Sequence, residues 1–504
     1  MTAPEQEPEW RRLDRRTVVV TALRAAEVAV LAGVPVGIGL GGSFSPGVAV
    51  AVVVPAAVVL VVAAALVDRV RWRKTRYHVS VDRFELRKGV VVSTRRSLNR
   101  DRIRTVDITA PVLLRLFGLA HVKVGTGERT DSNESSLSLN PISRADAEWL
   151  RRELLEHAAS EEAEPGHDGT LSVWRPTWVK YAPMSFVTPT LGVAAFGVVL
   201  QVAEWFGLQN SVITWALDLL RGLPLVAALL VLVALGMVIG AVGAMALFVE
   251  MWWQYRLERE PGGTLRVRRG LLTTRSISVE ERRLRGVELV EPLGARLLGA
   301  ARVDAVATGL AQGQQEKQAD HNTLQPAAPR EHSDRIAAAV LREPVSPTEA
   351  VRLRAHPRAA LGRRVRWALA AVAVVLLPLV VLGLTVTSVL LHIAWVSAVV
   401  LVPITVALAF EAYRNLGHGI TGGYLVIRRG SVRRGTVALQ RSGVIGWTVR
   451  QSFFQRRRGL LTVTATTAAG SQAYSAYDLG EDEGLVFTEE AVPGLLTPFL
   501  ERVD

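Results

Sequence analysis

The sequence predicts a membrane protein with six transmembrane α-helices in three hairpins. Each hairpin is followed by a small cytoplasmic β-barrel or sandwich with a C-terminal helix. Three observations carry this prediction. A short motif recurs three times, six long apolar runs come in pairs, and positive charge lies on one side of those runs.

The motif is an apolar–x–apolar step, a basic pair and a glycine, with a second glycine 29 positions later (89 to 118, 270 to 299, 430 to 459). Its copies read Phe84-Glu85-Leu86-Arg87-Lys88-Gly89, Leu265-Arg266-Val267-Arg268-Arg269-Gly270 and Leu425-Val426-Ile427-Arg428-Arg429-Gly430. The second glycine closes Arg115-Leu116-Phe117-Gly118, Arg296-Leu297-Leu298-Gly299 and Arg456-Arg457-Arg458-Gly459. Val122, Val303 and Val463 each follow four residues on. A fixed internal period means a repeated structural unit, and about 90 residues is the size of a small domain.

The apolar runs are 18–40 with 48–67, 186–203 with 223–249, and 367–386 with 393–410. Each has roughly the 17–25 residues that a spanning helix needs. The first pair is not a cleaved leader, because its first run is too long for a signal sequence and a second span follows almost at once. The turns inside the pairs carry almost no positive charge: none in 41–47, only Arg221 in 204–222, none in 387–392. The positive-inside bias therefore puts both termini and all three β-domains in the cytoplasm. The expected boundaries are a basic N-terminus at 1–17, hairpins at 18–67, 183–249 and 365–411, and domains at 68–160, 250–343 and 412–504. A linker at 161–182 and a basic linker at 344–364 join them.

The chain carries 59 Lys and Arg against 46 Asp and Glu, a net charge of +13, and no cysteine. Disulfides and thiolate metal sites are thereby excluded. A basic chain favours an anionic partner, and runs this apolar point to a membrane surface rather than nucleic acid.

Inside the repeats the signals are β. Phe84/Leu86, Leu265/Val267 and Leu425/Ile427 alternate with period two, as half-buried strands do. The basic pair and glycine then read as a hairpin turn, with second strands at 90–93 and 271–274. Ile103 and Val106, Leu284 and Val287, and Val444 and Trp447 are matching core positions. Ser143 with Asp146 reads as the N-cap of a helix, Ser333 as the cap of 334–341, and 486–500 as a closing helix interrupted by Pro493 and Pro498. Residues 161–169 and the Gln-rich stretch 311–329 read as mobile connections. The arginines of 351–366 read as a topology anchor or an anionic-lipid contact.

The hairpin before each domain, the strand ending in basic-basic-Gly and the Arg-x-x-Gly that follows together resemble the bacterial pleckstrin-homology-like (PH-like) membrane proteins of the YdbT/YdbS type. The resemblance covers nearly the whole chain. The third copy departs most, since 438–446 lacks the Arg-hydrophobic-Arg of 102–104 and 283–285. What it implies is a PH-like sandwich or barrel with a closing helix, the bacterial plasma membrane as location, and a smaller PH-like membrane protein as partner.

Catalytic patterns are missing. There is no His-Glu-x-x-His pair and no Gly-x-x-x-x-Gly-Lys-Ser/Thr loop. The glycines of 37–42 sit at the end of a span, without the strand–turn–helix context of a dinucleotide site. The first run holds Arg24 with Glu27 on the same face at i+3, where the long side chain can snorkel; the other five runs hold no ionisable residue near their middle, which argues against ion-coupled transport. The expected function is a membrane-anchored binding or scaffold module for a partner protein or anionic lipid headgroups, without catalysis, metal or cofactor. The alternative is a lipid-handling or pore protein that works through the six helices. The candidate anion or partner contacts are Arg87, Lys88, Arg268, Arg269, Arg428 and Arg429. The repeat's structural glycines are Gly89, Gly118, Gly270, Gly299, Gly430 and Gly459.

Overall fold

A computed structural model describes residues 10–80, 82–89, 93–100, 103, 105–125, 136–156, 169–260, 263–308, 322–496 and 498. The chain runs β1 (Arg11–Arg12), α1 (Thr17–Ser43), α2 (Pro46–Lys74), β2 (Arg76–Val79), β3 (Arg83–Lys88), β4 (Thr94–Asn99), β5 (Thr105–Ala110), α3 (Val112–Leu116), β6 (Leu119–Gly125), β7 (Ser136–Ser143) and α4 (Arg144–Glu156). It continues with β8 (Gly169–Val173), α5 (Val187–Trp205), α6 (Gln209–Leu220), α7 (Leu225–Trp252), β9 (Arg256–Glu260), β10 (Thr264–Arg269) and β11 (Thr274–Glu280). Next come β12 (Leu284–Pro292), α8 (Leu293–Leu297), β13 (Ala300–Ala307), β14 (Thr323–Pro329), α9 (Arg330–Leu341) and α10 (Pro347–Ala350). The last part holds α11 (Arg358–Thr385), α12 (Ser388–Arg414), β15 (Gly417–Thr421), β16 (Tyr424–Arg429), β17 (Arg433–Gln440), β18 (Val444–Arg450), α13 (Phe453–Arg456), β19 (Leu460–Thr467), β20 (Ala473–Gly480) and α14 (Glu481–Ala491).

Among the described residues, six helices are long and apolar enough to cross a membrane: α1, α2, α5, α7, α11 and α12. Helix α1 packs on α2, α5 on α7, and α11 on α12. Small residues let the backbones approach. A Cβ on Gly240 would lie 2.0 Å from the Thr188 carbonyl oxygen, and one on Gly192 would lie 2.2 Å from that of Gly236. The stretch 204–222, expected as a plain turn, holds the helix α6, which exposes Trp215, Leu217 and Leu219.

The chain folds as two compact units, 1–281 and 282–504. In the first, one antiparallel sheet has the order β1-β2-β3-β4 and the other the order β7-β6-β5-β11-β10-β9-β8. The second sheet is therefore shared between repeats. Strand β5 of the first repeat pairs with β11 of the second, Thr274 opposite Ala110 and Val279 opposite Thr105. In the second unit the order is β14-β13-β12-β17-β16-β15, beside a separate β18-β19-β20 sheet. Here β12 of the second repeat pairs with β17 of the third, Arg434 opposite Glu291. Both junctions have one register: the residue four past the first glycine faces the residue eight before the second.

Side chains alternate as the period-two pattern requires. In the first repeat Phe84 and Leu86 of β3 meet Val106 of β5, Val122 and Val124 of β6, and Ala147, Leu150 and Leu154 of α4 in one buried cluster. In the third, Leu425 and Ile427 meet Val437, Leu439, Val463, Ala465 and Phe487 of α14. Each cluster is a two-sheet sandwich with a helix over it.

Ser143 caps α4 as expected: the Asp146 amide donates to its Oγ at 3.0 Å. Ser333 does not cap. Helix α9 starts at Arg330, straight out of β14, and buried Ser333 donates to the Ala301 carbonyl at 2.9 Å. The last closing helix is 481–491, not 486–500. Glu481, Asp482 and Glu483 fill its first turn, where the helix dipole favours carboxylates, and Pro493 follows its end. The strand after Gly270 begins at Thr274 because Glu250 takes the preceding amides. Leu272 and Thr273 donate to its carboxylate at 2.8 and 3.1 Å. The stretch 311–329 holds the edge strand β14, and Gly169 opens another edge strand, β8. Residues 90–92, 102, 104, 161–168 and 309–321 lie outside the described residues.

The second unit also buries an imidazole pair. His418 Nδ1 lies 3.1 Å from His356 Nε2, and His356 Nδ1 lies 2.8 Å from the Tyr477 carbonyl. Burial, then the His356 and Arg354 charges, push the His418 pKa down to about 3. Glu483, 3.6 Å away and partly solvated, does not offset this. The unfolded chain takes up a proton below about pH 6.5 and the native imidazole does not, so stability falls as pH drops. Going from pH 7 to pH 5 should cost about 2 kcal/mol through this residue. Heat-unfolding temperatures across that range should fall less steeply in His418→Asn, and an equal slope in both proteins would refute the assignment.

Candidate functional site

The two halves of the repeated motif meet across the junctions. Gly270 and Gly430 turn the chain after their basic pairs at φ 111° and 99°. Arg115, in α3 of the first repeat, donates from Nη1 to the Leu271 carbonyl at 2.8 Å. Arg296, in α8 of the second, donates to the Ser431 carbonyl at 3.2 Å and pairs with Glu411. In the first two repeats the Arg of Arg-x-x-Gly thus grips the carbonyl just past the first glycine of the next repeat. Gly118, Gly299 and Gly459 follow α3, α8 and α13 with φ of 68°, 68° and 59°. Gly89 has φ 159°.

Beside the first junction, just past the end of α7, lies a cavity of about 600 Å³. Six arginines line it, Arg115, Arg144, Arg256, Arg268, Arg269 and Arg275, with Glu148 as the sole carboxylate among its lining residues. Glu148 is already engaged: Arg266 Nη2 donates to its two oxygens at 2.7 and 3.0 Å, and Arg151 lies 3.3 Å away. Arg256 has Glu258 at 3.1 Å. Buried Arg269 lies over the Trp252 ring at 4.1 Å. Burial, then the cation of Arg266, lowers the Arg268 pKa, and Arg144 adds to that effect. A guanidinium so destabilised by its neighbours remains charged at neutral pH, and an anion in the cavity relieves the repulsion. Trp174 and Trp253, ring centroids 5.0 Å apart, form part of the wall.

The second junction has a cavity of about 420 Å³ lined by Phe410, Glu411, Arg414, Asn415, Arg428 and Arg434. Two of its lining charges, Arg434 and Glu411, are matched. Arg434 holds Glu291 at 2.6 and 2.7 Å, Arg330 holds the same carboxylate at 2.9 Å, and Arg296 takes Glu411. Burial, then Arg434 and Arg330, lowers the Arg428 pKa. Arg429 turns toward Tyr477, whose ring centroid is 5.7 Å away. In the first repeat Arg87 stacks on Trp10 at 4.3 Å and Lys88 is exposed at the strand end. The expected pairs are therefore not equivalent: Arg268 and Arg269 join four further arginines at the first cavity, and Arg428 alone of its pair joins Arg414 and Arg434 at the second. Arg115, Arg144, Arg256 and Arg275 were not singled out as ligand contacts by sequence. Only Arg115 carried a signal, through Arg-x-x-Gly.

Sandwiches closed by a helix, repeated behind long apolar helices, define a class of bacterial membrane protein. The chain belongs to the bacterial PH domain family, whose model matches residues 28–158 and 367–489, just over half of the sequence. It is also 20% identical over 435 residues to the UPF0699 transmembrane protein YdbT of Bacillus subtilis (strain 168), a match covering 82% of this chain and 84% of that protein. No solved structure matches. The chain is a multi-pass membrane protein with bacterial PH domains.

Proposed function

We propose that this protein is a membrane-anchored binding module that holds an anionic lipid headgroup in the arginine cavity of its first junction, without catalysis. The six long helices run as three hairpins, with both termini and the β-domains in the cytoplasm. The sparse charge of the outer turns supports this orientation: Arg221 pairs with Asp218 at 2.7 Å. In that orientation the cavity opens at the cytoplasmic boundary of the bilayer, where a partly exposed tryptophan such as Trp253 favours the headgroup layer. The observation that carries the reading is six guanidinium groups around a cavity whose single carboxylate is already paired. Lipid exchange onto the purified full-length protein, followed by native mass spectrometry, tests it. Phosphatidylglycerol should bind at least tenfold tighter than phosphatidylcholine. Arg144→Gln with Arg268→Gln should remove about 2 kcal/mol of that preference, more than tenfold in Kd. Equal retention of the two lipids, or a preference the variant leaves unchanged, would sink the proposal.

A further inference from the structure

The junction between repeats has two halves, and among the described residues one of each is unused. Strand β4 is the first repeat's counterpart of β11 and β17. Strand β18 is the third repeat's counterpart of β5 and β12. Among the described residues β4 pairs only with β3, and β18 only with β19. Both are sheet edges with an open row of backbone donors and acceptors, the feature that recruits another strand. Arg456 occupies the place of Arg115 and Arg296. It is exposed, and no partner for its side chain lies among the described residues.

We infer that these edges join copies of this chain head to tail, β18 of one copy pairing with β4 of the next. The occupant follows from the register. Six residue pairs at the first junction and seven at the second share one alignment. Applied to the free edges, it sets Thr94 opposite Arg450, Arg95 opposite Val449 and Arg96 opposite Thr448. No like charges then face each other directly, the arrangement that would oppose pairing. Arg95 keeps its own counter-ion in Glu85, 2.8 Å away on β3. Arg456 falls beside Gly89 at the end of β3, as Arg115 and Arg296 fall beside the ends of β10 and β16. Such a contact is heterologous, so it builds rings or open rows rather than a closed twofold dimer. It is independent of any ligand at the arginine cavity.

The chain has no cysteine, so single cysteines report cleanly. Two differently tagged full-length copies, one Thr94→Cys and the other Arg450→Cys, are co-expressed and treated in membranes with a short bismaleimide. A cross-tag dimer is expected, and a ladder from the doubly substituted chain. Pairing Thr94→Cys with Ile445→Cys instead moves the thiol about 17 Å along the strand and should lower the yield at least tenfold. Arg456→Ala should also lower it about tenfold with an unchanged heat-unfolding temperature. Equal yields at 445 and 450, a product confined to single chains, or capture of a different protein at position 94 would each overturn the inference.

Discussion

Gly430→Ala is expected to prevent the β16–β17 hairpin from closing, at a cost of more than about 4 kcal/mol. Its φ of 99° lies where side chains are excluded, and an added Cβ would sit 2.0 Å from the Arg433 carbonyl oxygen. Real Cβ contacts stay beyond 3.0 Å, and the blocking atom is backbone, which no rotamer change can move. Gly270 repeats the situation at φ 111° and 2.0 Å from the Thr273 carbonyl oxygen, so Gly270→Ala should do the same. The damage extends past the turn, since Leu271 and Ser431 present the carbonyls that hold the previous repeat. The contrast is Gly299→Ala. There φ is 68° and nothing lies within 4 Å, so only the left-handed backbone cost of about 1–2 kcal/mol applies. Calorimetric unfolding of the three variants in one detergent checks the ranking. Similar losses at 299 and 430 would show that the close approach is not the reason for glycine there.

Local features were the legible ones. The apolar runs announced the long helices, and the alternation at Phe84/Leu86 and Leu425/Ile427 announced the sandwich strands. The spacing between the two glycines was visible too, but its meaning was not. Strand β5 pairs with a strand more than 160 residues away, and the groups that pair are backbone amides and carbonyls, which every residue carries. Strand β14 was hidden for another reason. Thr323-Leu324-Gln325-Pro326-Ala327-Ala328-Pro329 has two prolines and no alternation, which suits only a sheet edge, and an edge is where β14 lies. The arginine cavity draws one arginine each from α3, α4, β9 and β11 and two from β10. In a chain with 59 basic residues these have no local signature.

Arg266→Met should destabilise the first unit by about 3–5 kcal/mol, the usual cost of removing one partner from a buried ionic cluster. Buried Arg266 donates to Glu148 at 2.7 and 3.0 Å, to Glu260 at 3.0 Å and to Ser276 at 2.9 Å. Arg151 closes the ring, 2.7 Å from Glu260 and 3.3 Å from Glu148. Two cations and two carboxylates thus clamp α4 of the first repeat to β9 and β10 of the second. Burial pushes the Glu148 pKa up, but Arg266 and Arg151 bring it below the ordinary value. In the native protein this carboxylate therefore adds stability that is present above its unfolded pKa and lost as pH falls through the folded one. Without Arg266 the largest charge holding this pKa down is gone, so the folded pKa rises and the carboxylate adds less stability at pH 7 than in the native protein. The variant's deficit should therefore shrink as pH falls below the unfolded pKa, and Glu148→Gln should cost less in Arg266→Met than in the native protein. A double-mutant cycle on these two residues should give a coupling of about 2 kcal/mol. Strictly additive losses would mean that packing of the arginine stem, not the ion pair, holds α4 in place.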